Sequence, residues 1–213
     1  MTTNETLFSA TPNRLKCCVT WCFRSSPGEG EGQKLRIWSA ACSTGQEACS
    51  VAITVRELGP KLADWPVEII GTDISPAVLV KAKAGVYSQF EVQRGMPIKL
   101  LIKYFDKVGT QWKAKREISS MIQFREQNML QNILGLGSFD IVFCRNLLIY
   151  FDRETKQQVL ERIGRSLAPD GTLFLGGTET VIGLSTAFEP VPGQRGIYRR
   201  TGKDAAPATA RVA

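Results

Sequence analysis

The chain has 213 residues, 43% of them hydrophobic and 22% charged, which suffices for one sizeable core and makes a single domain the expectation. No run of about eighteen apolar residues occurs, so a membrane span is not expected. Met1-Thr2-Thr3-Asn4-Glu5 lacks a basic region followed by an apolar stretch, so a cytoplasmic address is expected. The net charge of +7 draws on Arg195, Arg199, Arg200, Lys203 and Arg211 and on a lysine-rich stretch over 94–125. It favours an acidic partner, although a solvated face explains any single cluster as well.

Histidine is absent, which removes the usual Ser-His and Cys-His nucleophile systems. Cys17, Cys18 and Cys22 lack paired C-x-x-C units, so no metal site is expected. Cys42, Cys49 and Cys144 lie in apolar stretches, where a cysteine behaves as a small buried hydrophobe.

In chain order, 1–34 reads as an N-terminal segment and linker. Within it 11–34 has no helical or alternating period and closes on Gly28-Glu29-Gly30-Glu31-Gly32. From 35 to 202 strands and helices alternate. A short strand over 35–39 precedes a helix over 46–58, whose apolar face is Ala48, Val51, Ala52, Val55 and Leu58 and which Gly59-Pro60 stops. A strand over 67–72 follows. Ser75 then caps a helix with Pro76 at its first position, running to about 84. A buried strand is expected over 139–144. An amphipathic helix follows from 152 or 153 to 167, ended by Pro169-Asp170-Gly171. Further strands fall at 172–176 and, on an edge, at 196–200. Residues 203–213 read as a disordered tail. This alternation implies a mostly parallel, doubly wound sheet with helices on both faces, binding ligand past the carboxyl ends of its strands.

Three segments fall at those ends. Ala40-Ala41-Cys42-Ser43-Thr44-Gly45-Gln46-Glu47 joins the first strand to a helix N-terminus. It is either an ordinary turn or a small-ligand loop, and it is neither a dinucleotide nor a triphosphate fingerprint. Asp73, in Gly71-Thr72-Asp73-Ile74, is placed to accept from both ribose hydroxyls of a nucleoside cofactor; capping of the next helix is the competing role. Arg145 and Asn146 follow the 139–144 strand, where loop polarity alone also explains them, and Tyr150 suits either the site or the core.

Trp38-Ser39-Ala40-Ala41-Cys42-Ser43-Thr44-Gly45-Gln46-Glu47, Gly71-Thr72-Asp73-Ile74 and Phe143-Cys144-Arg145-Asn146-Leu147-Leu148-Ile149-Tyr150-Phe151-Asp152 occur together and in order. With Thr3-Asn4-Glu5-Thr6-Leu7-Phe8 ahead of them, the chain resembles the chemotaxis protein methyltransferase (CheR) family over about 1–8 and 35–200. The resemblance implies a class I S-adenosylmethionine-dependent methyltransferase fold, Rossmann-like, with a small β-subdomain insertion at about 105–126. Two short strands would lie there, over 110–115 and 121–124. It implies methyl transfer from S-adenosyl-L-methionine to glutamate side chains of chemoreceptors, leaving S-adenosyl-L-homocysteine. The chain would act as a monomer, without nucleic acid.

By the same resemblance Asn4 and Thr6 contact the cofactor, Glu47 reaches its amino-acid portion and Asp73 its ribose. Asn128 and Met129 border the adenine, Asn146 and Leu147 line the site, and Tyr150 lies near the transferred methyl. A sulfonium methyl and a carboxylate react by direct displacement without a general base, which suits a chain without histidine. A cation beside the acceptor orients it.

Three departures from the family pattern stand out. Phe8-Ser9-Ala10 replaces Phe-Phe-Arg, so the active-site arginine is missing, with Arg14 or Arg145 as substitutes. The expected amphipathic helix is not legible in 11–34, as a local frameshift around codons 8–34 would explain. The family's small helical domain is expected to be absent, because the chain begins almost at the cofactor motif. A cofactor-binding regulatory module without turnover is therefore the alternative to an active enzyme. A nucleic-acid methyltransferase, suggested by charge alone, is a third.

Overall fold

The computed structural model describes residue 8 and residues 34–59 and 66–201. Expectations placed on Asn4, Thr6, Ala10, Arg14, the cysteines at 17, 18 and 22, Pro60, the 9–33 segment and the 203–213 tail lie outside the described residues.

Strand β1 (Leu35–Ala40) leads into helix α1 (Gln46–Leu58), which stops at Gly59. Strand β2 (Val67–Asp73) and helix α2 (Pro76–Ala84) follow. A small region comprises β3 (Val86–Ser88), α3 (Gln89–Gln93), α4 (Ile98–Tyr104), β4 (Phe105–Val108), β5 (Gln111–Ala114) and α5 (Arg116–Ser119). The chain then forms β6 (Ile122–Glu126), β7 (Phe139–Cys144), α6 (Arg153–Ser166), β8 (Leu167–Leu175), β9 (Phe188–Pro190) and β10 (Ile197–Arg200).

The main sheet has the order β6-β2-β1-β7-β8-β10-β9. Its first five strands run parallel, and β8-β10-β9 closes one side with antiparallel pairs. Strand β1 is thus flanked by β2 and, after a long excursion, β7. This is the topological switch point, where open α/β sheets bind ligands. The registers Ala40↔Thr72, Ala40↔Cys144 and Cys144↔Leu175 bring four strand ends to one rim.

Several sequence expectations are corrected. The 121–124 stretch does not join the small sheet: Ile122–Glu126 pairs in parallel with β2 as an outer strand of the main sheet, and the small sheet is β3-β5-β4. The 196–200 strand is not an edge, since β9 pairs on its outer side. Helix α6 ends at Ser166, before Pro169, because Leu167 already pairs with Phe139. Pro169-Asp170-Gly171 lies within β8, where the register with β7 shifts. Ser75 holds the N-cap position of α2, but its hydroxyl makes no cap bond; its own amide donates to Asp73 Oδ1 at 3.0 Å.

Alternation along the strands sorts side chains to two faces. Ile37, Ile69, Ile141, Phe143 and Phe174 pack with α1 and the small sheet. Trp38, Ile70, Val142, Cys144 and Leu173 pack with Val159, Leu160 and Ile163 of α6. Helix α6 is started by Asp152, whose Oδ1 accepts from the Thr155 amide at 2.8 Å. Helix α1 is buried nearly all round, because the small sheet and Phe8 cover the side that the main sheet leaves open. Cys42, Cys49 and Cys144 are free and buried, and burial raises the Cys49 thiol to about 11. Among the described residues no helix is long and apolar enough to cross a membrane.

Candidate active site

The turn after β1 has an unusual backbone. Ala41 and Ser43 have φ of 57° and 50°, and Asn146, after β7, has φ of 59°. Non-glycine residues rarely take this left-handed conformation, and strain of this kind collects at functional sites. Gly45, at φ 87°, completes the turn and starts α1 without a side-chain cap. A side chain at Gly45 would also press on the Phe124 ring at 3.0 Å and on Ala82 at 3.1 Å.

Asp73 holds that turn. Its Oδ2 accepts from the Ser43 amide at 2.9 Å while Oδ1 accepts from Ser75. Carboxylate oxygens each accept more than one hydrogen bond, so both retain capacity toward a ligand. Of the two roles weighed for Asp73, the helix-leading one is met through the Ser75 backbone amide, and it leaves the carboxylate free to accept further bonds. The Ser43 hydroxyl beside it is buried, with no hydrogen-bond partner among the described residues.

Glu47, in the first turn of α1, is the second buried carboxylate. Oε1 accepts from the Ser39 hydroxyl at 2.8 Å, and Oε2 meets Arg145 Nη1 at 3.2 Å. Burial lifts the Glu47 carboxyl above its ordinary value of 4.5, and Arg145 and Ser39 offset only part of that rise. Arg145, the cation proposed for the acceptor, is thus pinned by Glu47 at the cleft.

The remaining sequence candidates divide. Asn146 is exposed and Leu147 half-buried, just past the end of β7. Tyr150 is 44% exposed, so it is not a core residue, and its amide closes a turn on the Leu147 carbonyl. Asn128 follows β6, its Oδ1 accepting from Leu130 N. Met129 is 6% exposed and packs in the cluster around Trp38 and Ile70. The rim thus brings together Ser43, Glu47, Asp73, Arg145 and Asn146.

Two features were not read as functional from the sequence. Glu179, past the end of β8, accepts four backbone N–H bonds around the β7 loop; an acidic residue in Gly176-Gly177-Thr178-Glu179 was its only signal. Phe8 is fully buried, edge-on to Tyr87 at 5.0 Å and to Phe105 at 5.8 Å. Tyr87 in turn donates to the Thr44 carbonyl at 3.2 Å, inside the turn that Asp73 holds.

The fold is that of a class I S-adenosylmethionine-dependent methyltransferase. The sequence profile described as CheR methyltransferase, SAM binding domain, matches residues 23–197. Chemotaxis protein methyltransferase 1 of Pseudomonas aeruginosa is 40% identical over 206 residues, covering 94% of this chain and 74% of that protein. Chemotaxis protein methyltransferase Cher2 of Pseudomonas putida is 39% identical over 210 residues, covering 92% and 73%. Among solved structures, the DszA carbon methyltransferase matches with a TM-score of 0.50 at 19% identity, over 82% of this chain and 38% of that one; at such identity the likeness concerns the fold. The chain belongs to the CheR family of chemotaxis methyltransferases, and S-adenosylmethionine is its cofactor.

Proposed function

We propose that the chain methylates glutamate side chains on the cytoplasmic part of chemoreceptors, in the cytoplasm and as a monomer. The carrying observation is that two buried carboxylates meet the carboxyl end of β1 at the switch point of the sheet, Asp73 through the strained turn at Ser43 and Glu47 through Ser39. A cofactor with ribose hydroxyls at one end and a cationic amino-acid portion at the other suits those two carboxylates.

S-adenosylmethionine, when bound, supplies a methyl group already activated by its sulfonium. The protein's own work is then positioning and exclusion of water. Asp73 accepts from the ribose hydroxyls, and Glu47 holds the ammonium. Asn128 and Met129 border the adenine, the latter from a wall fixed by its packing. Asn146 and Leu147 line the cleft, Asn4 and Thr6 contribute from the N-terminal segment, and Tyr150 stands beside the transferred methyl. Arg145, steadied by Glu47, orients the acceptor carboxylate in place of the family's arginine. The acceptor is already an anion, so no proton need be removed, in accord with a sequence without histidine.

The test is incubation of the full chain with methyl-labelled S-adenosylmethionine and receptor cytoplasmic fragments. Base-labile label on glutamates of the receptor is expected. Binding of S-adenosylhomocysteine with no transfer to any receptor fragment would overturn the substrate assignment.

A further inference from the structure

We infer that Glu179 is a positioning residue for methyl transfer: its carboxylate sets the shape of the loop that follows β7. This rests on the reading that Asn146, Leu147 and Tyr150 border the reacting group. Oε2 accepts from Gly176 N at 2.7 Å and from Asn146 N at 2.8 Å. Oε1 accepts from Leu148 N at 2.8 Å and from Leu147 N at 3.0 Å. One largely buried side chain thus satisfies three consecutive amides after β7 and a fourth at the end of β8. Successive N–H groups aimed inward form a concave anion site, here filled by the protein's own carboxylate.

Local sequence does not fix this loop. Asn146 is left-handed, a conformation that a non-glycine residue keeps only when its surroundings enforce it. Glu179 supplies that enforcement from another strand end. The space is reserved for it: a Cβ at Gly176 would lie 2.5 Å from Oε2 and 3.2 Å from Asn146 N. The Leu147 carbonyl then accepts from Tyr150 N at 3.2 Å, so the geometry passes on to the tyrosine. Asp73 lies two strands away, on β2. Loss of the carboxylate therefore misplaces the reacting end and leaves the ribose end intact.

Glutamine at 179 keeps the volume but turns an NH2 donor toward two of the four amides, which then lose their acceptor. Glu179→Gln and, independently, Gly176→Ala are compared with the wild-type chain. Three readouts are taken: steady-state transfer from labelled S-adenosylmethionine to a receptor cytoplasmic fragment, calorimetry with S-adenosylhomocysteine, and amide resonances of Asn146, Leu147, Leu148 and Gly176. In both variants kcat is expected to fall about tenfold or more, with a clearly smaller change in KM for the cofactor and in affinity for its product. The four amide resonances should move together. Unchanged kcat in both variants overturns the inference. So does a parallel loss of kcat, product affinity and the thermal transition, which marks a carboxylate that serves only stability. Failure of the wild-type chain to bind S-adenosylhomocysteine is a different result, one that overturns the site reading and this inference with it.

Discussion

Asp73 and Ser43 are joined across the switch point by a 2.9 Å hydrogen bond from the serine amide to Oδ2. The bond ties the end of β2 to the strained turn after β1, so a single carboxylate both shapes the turn and faces the cleft. Asp73→Ala removes the charge-assisted acceptor proposed for ribose and is expected to weaken S-adenosylhomocysteine binding by about 1.5–3 kcal/mol. Calorimetry should then show a dissociation constant about 10- to 150-fold higher. Unchanged affinity would mean that the ribose is held elsewhere.

A pH dependence follows from Glu47. Burial raises its carboxyl above 4.5, so a neutral fraction persists in mildly acidic solution. The neutral acid holds an ammonium poorly, whereas a bound ammonium favours the ionised form. Affinity for S-adenosylhomocysteine should therefore fall as pH is lowered through the raised value, in a window that begins above 4.5. Binding there should release a proton, visible as a calorimetric enthalpy that varies with the ionisation heat of the buffer. Glu47→Gln should bind more weakly at neutral pH and lose this buffer dependence.

The main elements were legible because their signals are local. The 46–58 helix declared itself by apolar spacing and a terminal glycine, and α2 by Ser75-Pro76 at its start. That Asp73 and the turn before Glu47 lie at strand ends was legible from the strand pattern, although spacing left the turn open between an ordinary connection and a ligand loop. What stayed hidden depends on partners distant in sequence. Whether Ile122–Glu126 joins the small sheet or the main one is decided by its pairing with β2, about fifty residues away, and by the room that Gly71 leaves for the Phe124 ring. Glu179 resembles any loop acid until its four amide donors, some thirty residues upstream in three cases, are in view.

Phe8 is linked through Tyr87 to the turn after β1. Its ring is wholly buried against Tyr87 and Phe105, and Tyr87 bonds the Thr44 carbonyl. Phe8→Ala is expected to cost about 3–5 kcal/mol in urea denaturation, as for other large buried aromatics. Loosening Tyr87 should also lower affinity for S-adenosylhomocysteine under conditions where the variant remains folded. A variant with wild-type stability would show that the ring contributes no packing energy.

Arg145 has two tasks that a double variant separates. Its Nη1 meets the buried Glu47 carboxylate at 3.2 Å, while 38% of the side chain remains accessible. Arg145→Gln leaves the carboxylate with the Ser39 hydroxyl and is expected to cost about 1–3 kcal/mol of stability, for an acceptor that has lost its charged donor. It should also lower transfer to the receptor fragment, because the acceptor carboxylate is no longer oriented by a cation. Adding Glu47→Gln removes the stranded charge and should restore most of the lost stability, as replacement of both partners of a pair often does. Transfer, measured at saturating S-adenosylmethionine because Glu47→Gln also weakens the hold on the cofactor, should stay low in the double variant. Recovery of transfer together with stability would show that Arg145 acts only as the partner of Glu47 and that the acceptor is oriented by another group.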